Sequence, residues 1–165
     1  MRTEQPALWP WLGLALVVSV LDQVTKLVAS AQLEYGVPHA VMPGFNLTLL
    51  HNTGAAFSML NQADGWQRWL FSGIALVVAS GLSWWLTRMD RSDRVEVCAL
   101  VLILGGAVGN LIDRLRLGYV VDFIQVYYQQ YAFPAFNIAD SAITVGAFLL
   151  LLRSVGIGVR GQLRG

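Results

Sequence analysis

The feature that most constrains this chain is a set of four apolar segments, each about long enough to cross a hydrocarbon core as a helix. They run over residues 8–31, 69–86, 95–112 and 138–155. Hydrophobic residues make up 56% of the chain and charged residues only 13%, too few to cover the surface of a water-soluble domain of this size. The sequence therefore predicts a single integral membrane domain over residues 1–165, all-α in its four spans.

The distribution of basic residues predicts how these spans are oriented. Arginines precede the first span, separate the second from the third, and recur from the end of the fourth: Arg2, Arg88, Arg91, Arg94, Arg153, Arg160 and Arg164. Cytoplasmic segments carry such an excess of Lys and Arg. Both termini are therefore expected in the cytoplasm, and the connections 32–68 and 113–137 outside it.

The two outer connections are expected to be structured. Residues 45–49 alternate apolar and polar side chains like a half-exposed strand, after a turn at Met42-Pro43-Gly44. Residues 119–136 are rich in Tyr and Phe, which is typical of a membrane–water interface. We expect an amphipathic, aromatic outer segment there, and the glycine-flanked stretch 118–136 as a whole is a candidate mobile lid.

Several classes of function are disfavoured by composition. The net charge of +1 provides no basic field for nucleic acid. The single cysteine, Cys98, excludes a disulfide framework and a cysteine-based metal site, and is expected to pack as a small apolar residue. His39 and His51 are too few to complete a metal site with nearby carboxylates. We expect neither a metal nor another cofactor.

Polar residues within the spans are costly and usually face the bundle interior. Asp22 and Lys26 are four residues apart and share one helix face, where they could form an ion pair, hold substrate, or do both. Asn110, one turn deeper than the end of the third span, fits a hydrogen-bonding role. Asp113 and Arg114 are expected to pair at the helix end near the interface.

Two further aspartates fall at a similar depth near the outer interface. Asp122 lies among apolar residues, and Asp140 lies at the start of the fourth span. Neighbouring carboxylates share a proton, so one can take a proton from water while the other stabilises a developing oxyanion. The working hypothesis is an ionised Asp140 and a protonated Asp122. The alternative for Asp140 is a capping box with Asn137.

Two other classes of membrane protein account for part of this pattern. A transporter could use Asp22, Lys26, Asp122 and Asp140 as a proton relay, but the cytoplasmic halves of spans two and four lack ionisable residues. A purely structural subunit leaves the cluster of polar residues at the outer face unexplained. Loss of peptide cleavage or of ion flux in Asp-to-Asn variants discriminates between these classes.

The chain also carries five motifs in a defined order. They are Leu21-Asp22-Gln23-Val24-Thr25-Lys26, His51-Asn52-Thr53-Gly54-Ala55-Ala56-Phe57-Ser58, Gly105-Gly106-Ala107-Val108-Gly109-Asn110-Leu111-Ile112-Asp113-Arg114, Val121-Asp122-Phe123 and Phe136-Asn137-Ile138-Ala139-Asp140-Ser141. Together they resemble the bacterial lipoprotein signal peptidases, also called signal peptidase II, over about residues 9–152. Each motif alone is weak, but five in order within a four-span chain are a strong signal.

This resemblance implies an aspartic endopeptidase of the bacterial cytoplasmic (inner) membrane. Its substrates would be diacylglyceryl-modified prolipoproteins, cut near the outer leaflet just before the lipid-modified cysteine. The connection after span one would form a small β-sheet platform that cradles the substrate, and a monomer surrounded by membrane lipid is the expected state.

The resemblance also implies roles for individual residues. Asp122 and Asp140 would be catalytic. The positions that would shape the site or bind substrate are Asn52, Gly54, Asn110, Arg114 and Asn137, together with the polar first-span residues Asp22 and Lys26.

Overall fold

A computed structural model of the protein describes residues 6–54 and 66–155. The helices are α1 (Trp9–Gln32), α2 (Trp66–Arg88), α3 (Arg94–Leu117) and α4 (Ile138–Ser154). The strands are β1 (His39–Met42), β2 (Phe45–Asn52), β3 (Val120–Tyr128) and β4 (Tyr131–Ala132). Three of the sequence features singled out above lie outside the described residues, namely Arg2, the motif residues 55–58, and the terminal Arg160 and Arg164.

Each predicted span coincides with one of the four helices. α1, α2 and α3 are long and apolar enough to cross a membrane by length and composition. α4 has 17 residues and is shorter than these three, so its role as a fourth span stays a prediction. Most of the exposed side chains of α2 are apolar, as at Val77 (72%) and Trp84 (66%), which suits a surface that faces lipid.

α3 is the central helix, because α1, α2 and α4 all pack against it. Its boundaries follow from local chemistry: the Asp93 carboxylate accepts hydrogen bonds from the first turn, and Gly118 ends the helix in the left-handed region at φ 86°. Glycines allow the close packing. A Cβ on Gly105 would lie 2.8 Å from the carbonyl oxygen of Ala15, and one on Gly146 would lie 2.6 Å from that of Ala99.

The four strands form one antiparallel sheet in the order β1-β2-β3-β4. The predicted strand is the first half of β2, and the predicted turn joins β1 to β2. β2 and β3 change register between Leu47 and Leu50, after which Leu50 pairs with Asp122 and Asn52 with Val120. The end of β2 is thereby placed beside the aspartate of β3.

The second outer connection, residues 113–137, differs from expectation. Its first five residues belong to α3, and most of the aromatic stretch forms β3 and β4 of the same sheet as β2. The amphipathic outer segment is therefore part of the β-sheet rather than a separate interfacial element. Its high aromatic content suits strands as well as interfaces, so composition alone could not distinguish the two.

Candidate active site

The sheet and the bundle bring Asp122 and Asp140 into one hydrogen-bonded network. Asp122 is 2% exposed, and each of its carboxylate oxygens accepts a bond from a side-chain amide. Nδ2 of Asn52 donates to Oδ2 at 3.0 Å, and Nδ2 of Asn137 donates to Oδ1 at 2.7 Å. Strand β2 and the start of α4 thus both hold this carboxylate in place.

Asp140 occupies the first turn of α4 and receives a matching bond from α3. Nδ2 of Asn110 donates to its Oδ1 at 2.7 Å, and Oδ1 of Asn110 accepts from Asn137 at 3.2 Å. The two asparagines therefore connect the two aspartates. Among the described residues, none donates to Oδ2 of Asp140.

The surroundings of Asp122 favour the protonated form of its carboxyl group. Burial raises the pKa of Asp122, and the neighbouring charge of Asp140 raises it further, whereas the amide bonds from Asn52 and Asn137 lower it. The balance raises the pKa of Asp122 to about 6. This direction agrees with the hypothesis that Asp122 is the protonated member of the pair.

Asn137 caps α4, which is one half of the capping box considered above as the alternative role of Asp140. Its Oδ1 accepts from the backbone N–H of Asp140 at 2.9 Å. The reciprocal half of a capping box is not formed, because the Asp140 carboxylate bonds to Asn110 instead. Capping and participation in the site are therefore compatible: the fully buried Asn137 orders the helix start and also holds Asp122.

Beneath these aspartates lies a second group of charges, the ion cluster of Asp22, Lys26 and Asp113. Nζ of Lys26 lies 2.8 Å from Asp22 and 2.9 Å from Asp113, and it donates to Oδ1 of Asn110 at 2.9 Å. The predicted ion pair of Asp22 with Lys26 is confirmed. All three cluster side chains are at most 3% exposed, and whether Asp22 and Lys26 also hold substrate stays a prediction.

The expectation for Asp113 was wrong. The apolar stretch ends near this residue, but α3 continues to Leu117 and turns Asp113 toward α1 and β3. Its carboxylate accepts from Gln23 at 2.8 Å and from the backbone N–H of Val121 at 3.0 Å. A buried cation was available to pair with it, so the charge did not need to reach the interface.

The ion cluster also positions the backbone on both sides of the site. Asp113 holds the N–H of Val121, one residue before Asp122. Asp22 accepts from the N–H of Ala139 at 2.9 Å, one residue before Asp140. The sequence did not predict these bonds to the backbone, because each carboxylate and its N–H partner come from different elements. The local spacing indicated only the pairing of Asp22 with Lys26.

Gly54 and Arg114 border the site on the side of α2. Gly54 has φ 91°, donates its N–H to Oδ1 of Asn52 at 2.9 Å, and leaves room for the ring of Phe71 where a side chain would stand. The guanidinium of Arg114 lies 5.6 Å from the centre of that ring and is close enough to act electrostatically on both aspartates. Phe71 was not anticipated, since an apolar residue within an apolar span carries no signal.

No group of three or more His, Cys, Asp or Glu side chains is arranged to hold a metal ion within residues 6–54 and 66–155. His39 and His51 lie on the sheet, and Cys98 is half-buried in α3.

Comparison with known proteins adds independent information. The family model described as Signal peptidase (SPase) II matches residues 14–156. A lipoprotein signal peptidase of Acinetobacter baylyi is 56% identical over 142 residues, covering 86% of this chain and 79% of the relative. One from Pseudomonas aeruginosa is 53% identical over 145 residues, covering 87% and 86%. A solved structure of a bacterial membrane enzyme, 30% identical, superposes with a TM-score of 0.81 over 94% of this chain and 98% of that one.

Proposed function

The chain belongs to the signal peptidase II family, and from that membership we propose that it removes signal peptides from prolipoproteins as an aspartic endopeptidase. The substrate is a prolipoprotein with a diacylglyceryl group on the cysteine that follows the cut. The observation that carries the aspartic mechanism is the shared network in which Asn137 and Asn110 join Asp122 to Asp140.

In this mechanism Asp140 is the base and Asp122 the acid. Oδ2 of Asp140 takes a proton from a water molecule, whose oxygen attacks the carbonyl carbon of the scissile bond. The protonated Asp122 donates to the carbonyl oxygen as negative charge develops there. When the C–N bond breaks, the leaving amine takes the proton that Asp140 gained from water, and a hydroxyl group of the intermediate returns a proton to Asp122. The amine and the carboxylic acid are released, and Asp122 and Asp140, the dyad, again share one proton.

The remaining site residues bind or orient. Asn52 and Asn137 hold the Asp122 carboxylate, and Asn110 holds that of Asp140. Arg114 and the backbone at Gly54 are proposed to bind the substrate main chain, since both border the dyad beside α2. Asp22 and Lys26 support the site through the backbone and Asn110 instead of touching substrate, because both are buried.

We further propose that α4 is the fourth span and that the whole chain is one membrane domain with both termini in the cytoplasm. At about 1.5 Å per residue its 17 residues reach about 26 Å, close to the thickness of a hydrocarbon core. Most of its exposed side chains are apolar, as at Phe148 (57%) and Leu151 (64%). In this arrangement the enzyme is a monomer of the bacterial inner membrane, and the sheet and dyad lie at the outer leaflet, where a lipid-modified substrate presents its cleavage site.

The proposal is tested with purified protein in detergent and a diacylglyceryl-modified prolipoprotein, the cut being located by mass spectrometry. We expect cleavage just before the modified cysteine, and a rate roughly 10²–10⁴-fold lower in Asp122→Asn and Asp140→Asn. Asp90→Asn, in the exposed connection between α2 and α3, is the matched control and should cleave normally. Near-normal activity in either dyad variant contradicts the mechanism, and cleavage of the unmodified precursor at the same rate contradicts the substrate assignment.

A further inference from the structure

His51 belongs to a stack of three rings that the proposed mechanism leaves unused. Its imidazole stacks on Tyr119 with ring centres 4.0 Å apart and an interplanar angle of 22°, and its other neighbour is Tyr35, at 4.8 Å and 48°. Tyr35 lies between α1 and β1, and Tyr119 lies between α3 and β3. The stack therefore ties β2 to two connections that come from different parts of the chain.

The stack lies on the face of the sheet opposite the dyad. His51 pairs with Val121, whereas Leu50 pairs with Asp122 and Asn52 with Val120. Because successive side chains of a strand point to opposite faces, Asn52 shares the face of Asp122 and His51 does not. His51 thus supports the site from behind and cannot contact a substrate bound at the two carboxylates.

The end of β2 needs such support because of its register. After the irregularity between Leu47 and Leu50, three registered pairs, at Leu50, His51 and Asn52, hold β2 to β3 before the strand ends. A slip of one residue would turn the Asn52 side chain to the other face and break its bond to Asp122. Cross-strand aromatic contacts are among the interactions that stabilise one register over another.

We propose that His51 is a positioning residue whose stack with Tyr35 and Tyr119 holds the end of β2 in the register that lets Asn52 donate to Asp122. This inference rests on the proposed function, since it assigns a kinetic role through Asn52. The flat ring is what matters: burial lowers the pKa of His51, so the ring is uncharged at neutral pH and stacks as an aromatic. A phenyl ring should therefore replace it.

The kinetic test compares His51→Ala with His51→Phe, using His39→Ala on the exposed strand β1 as the matched control. We expect His51→Ala to lower kcat by up to roughly tenfold with KM nearly unchanged, and the other two variants to stay within about twofold of the wild type. In an Asn52→Ala background, His51→Ala should add nothing. An equal loss in both backgrounds, or a His51→Phe variant as slow as His51→Ala, overturns the proposal.

A second readout does not depend on activity. Backbone hydrogen exchange over residues 50–52 should accelerate in His51→Ala but not in His51→Phe or His39→Ala, because only the first removes the stack. If the wild type cleaves no prolipoprotein, the proposed function fails while exchange still reports on the register. Unchanged exchange in His51→Ala overturns the positioning role whether or not the protein is a peptidase.

Discussion

The ion cluster and the dyad are two groups of acidic side chains within one site, and they differ in how completely their charges are compensated. The ion cluster is buried, whereas in the dyad Asp122 is buried and Asp140 is half-buried. Asp22 and Asp113 surround an ammonium group whose hydrogen bonds all go to them and to Asn110. Asp122 and Asp140 are held by amides, which donate hydrogen bonds but carry no charge. The positive charge of Arg114 acts on both, but among the described residues it forms no hydrogen bond to either carboxylate.

The difference separates a structural from a chemical use of the same residue type. A carboxylate beside a buried cation has its charge offset by that cation and is suited to holding backbone N–H groups. A carboxylate beside another carboxylate cannot ionise freely and keeps a proton available. Removing a charge from the ion cluster should therefore destabilise the fold, whereas removing a charge from the dyad should reduce repulsion between its carboxylates. Four experiments test this contrast.

The largest effect is expected for Lys26→Met. It leaves Asp22 and Asp113 buried without their cation, which typically costs about 3–5 kcal/mol of unfolding free energy. Thermal unfolding in detergent should show the midpoint falling by roughly 10 °C. A Lys26→Met variant that also carries Asp22→Asn and Asp113→Asn is the control, and should recover much of the loss. A midpoint unchanged in Lys26→Met would remove the basis of the comparison.

Asp122→Asn is expected to stabilise the folded protein at neutral pH, the opposite of the effect of Lys26→Met. The pKa of Asp122 is raised from 3.8 to about 6 on folding, so the folded state binds the proton more tightly and stability falls as pH rises from about 4 to 6. Above that pH range, the shift lowers the unfolding free energy of the wild type by at most about 3 kcal/mol. Asp122→Asn has no ionisable group at this position and should not show this decrease. Unfolding midpoints of both proteins measured between pH 4 and 8 should therefore diverge, and parallel curves would contradict the assignment.

A smaller effect is expected on the pH dependence of cleavage. The singly protonated dyad is lost as pH rises through its upper pKa, so kcat/KM of the free enzyme should fall above about pH 6, approaching tenfold per unit. The bond from Asn52 lowers the pKa of Asp122, so Asn52→Ala should move this limb to higher pH by less than about one unit. A limb that stays in place would show that Asn52 does not act on the dyad.

Arg153→Gln should have the smallest effect. Arg153 is partly exposed and pairs with Asp93 at 2.5 Å and with Glu96 at 2.7 Å, a setting in which loss costs under about 1 kcal/mol. The bond from Arg153 lowers the pKa of Asp93, so this stabilisation is present above about pH 4 and is lost as pH falls below it. If Arg153→Gln lowered the unfolding free energy as much as Lys26→Met does, burial would not explain why one ion pair stabilises the fold more than the other.

The sequence predicted the helices and strands better than the pairing and packing between them. Apolar length predicted all four helices, and alternation predicted the first half of β2. β3 was missed because Asp122 interrupts its apolar pattern, and the burial of Asp113 was missed because its cation lies on another helix. The register of Asn52 against Val120 depends on a bulge, a non-local feature that no local pattern reports.

For the site, the sequence pointed to the two aspartates and the asparagines but could not reveal how they connect. Which oxygen of Asp122 meets Asn52, and which meets Asn137, depends on the packing of β2, β3 and α4. Gln23 and Phe71 looked like ordinary span residues, and became part of the site only once α1 and α2 were placed against α3.

The orientation of Asn110 has a consequence for proton exchange. Lys26 can only donate, so it fixes the oxygen of the Asn110 amide toward itself and the nitrogen toward Asp140. In the part of the chain that the structure describes, the side chains hydrogen-bonded to the two aspartates are all amides, which do not release protons at ordinary pH. None of these described side chains could therefore relay a proton in the proposed mechanism, which would have to exchange protons with the water that it consumes.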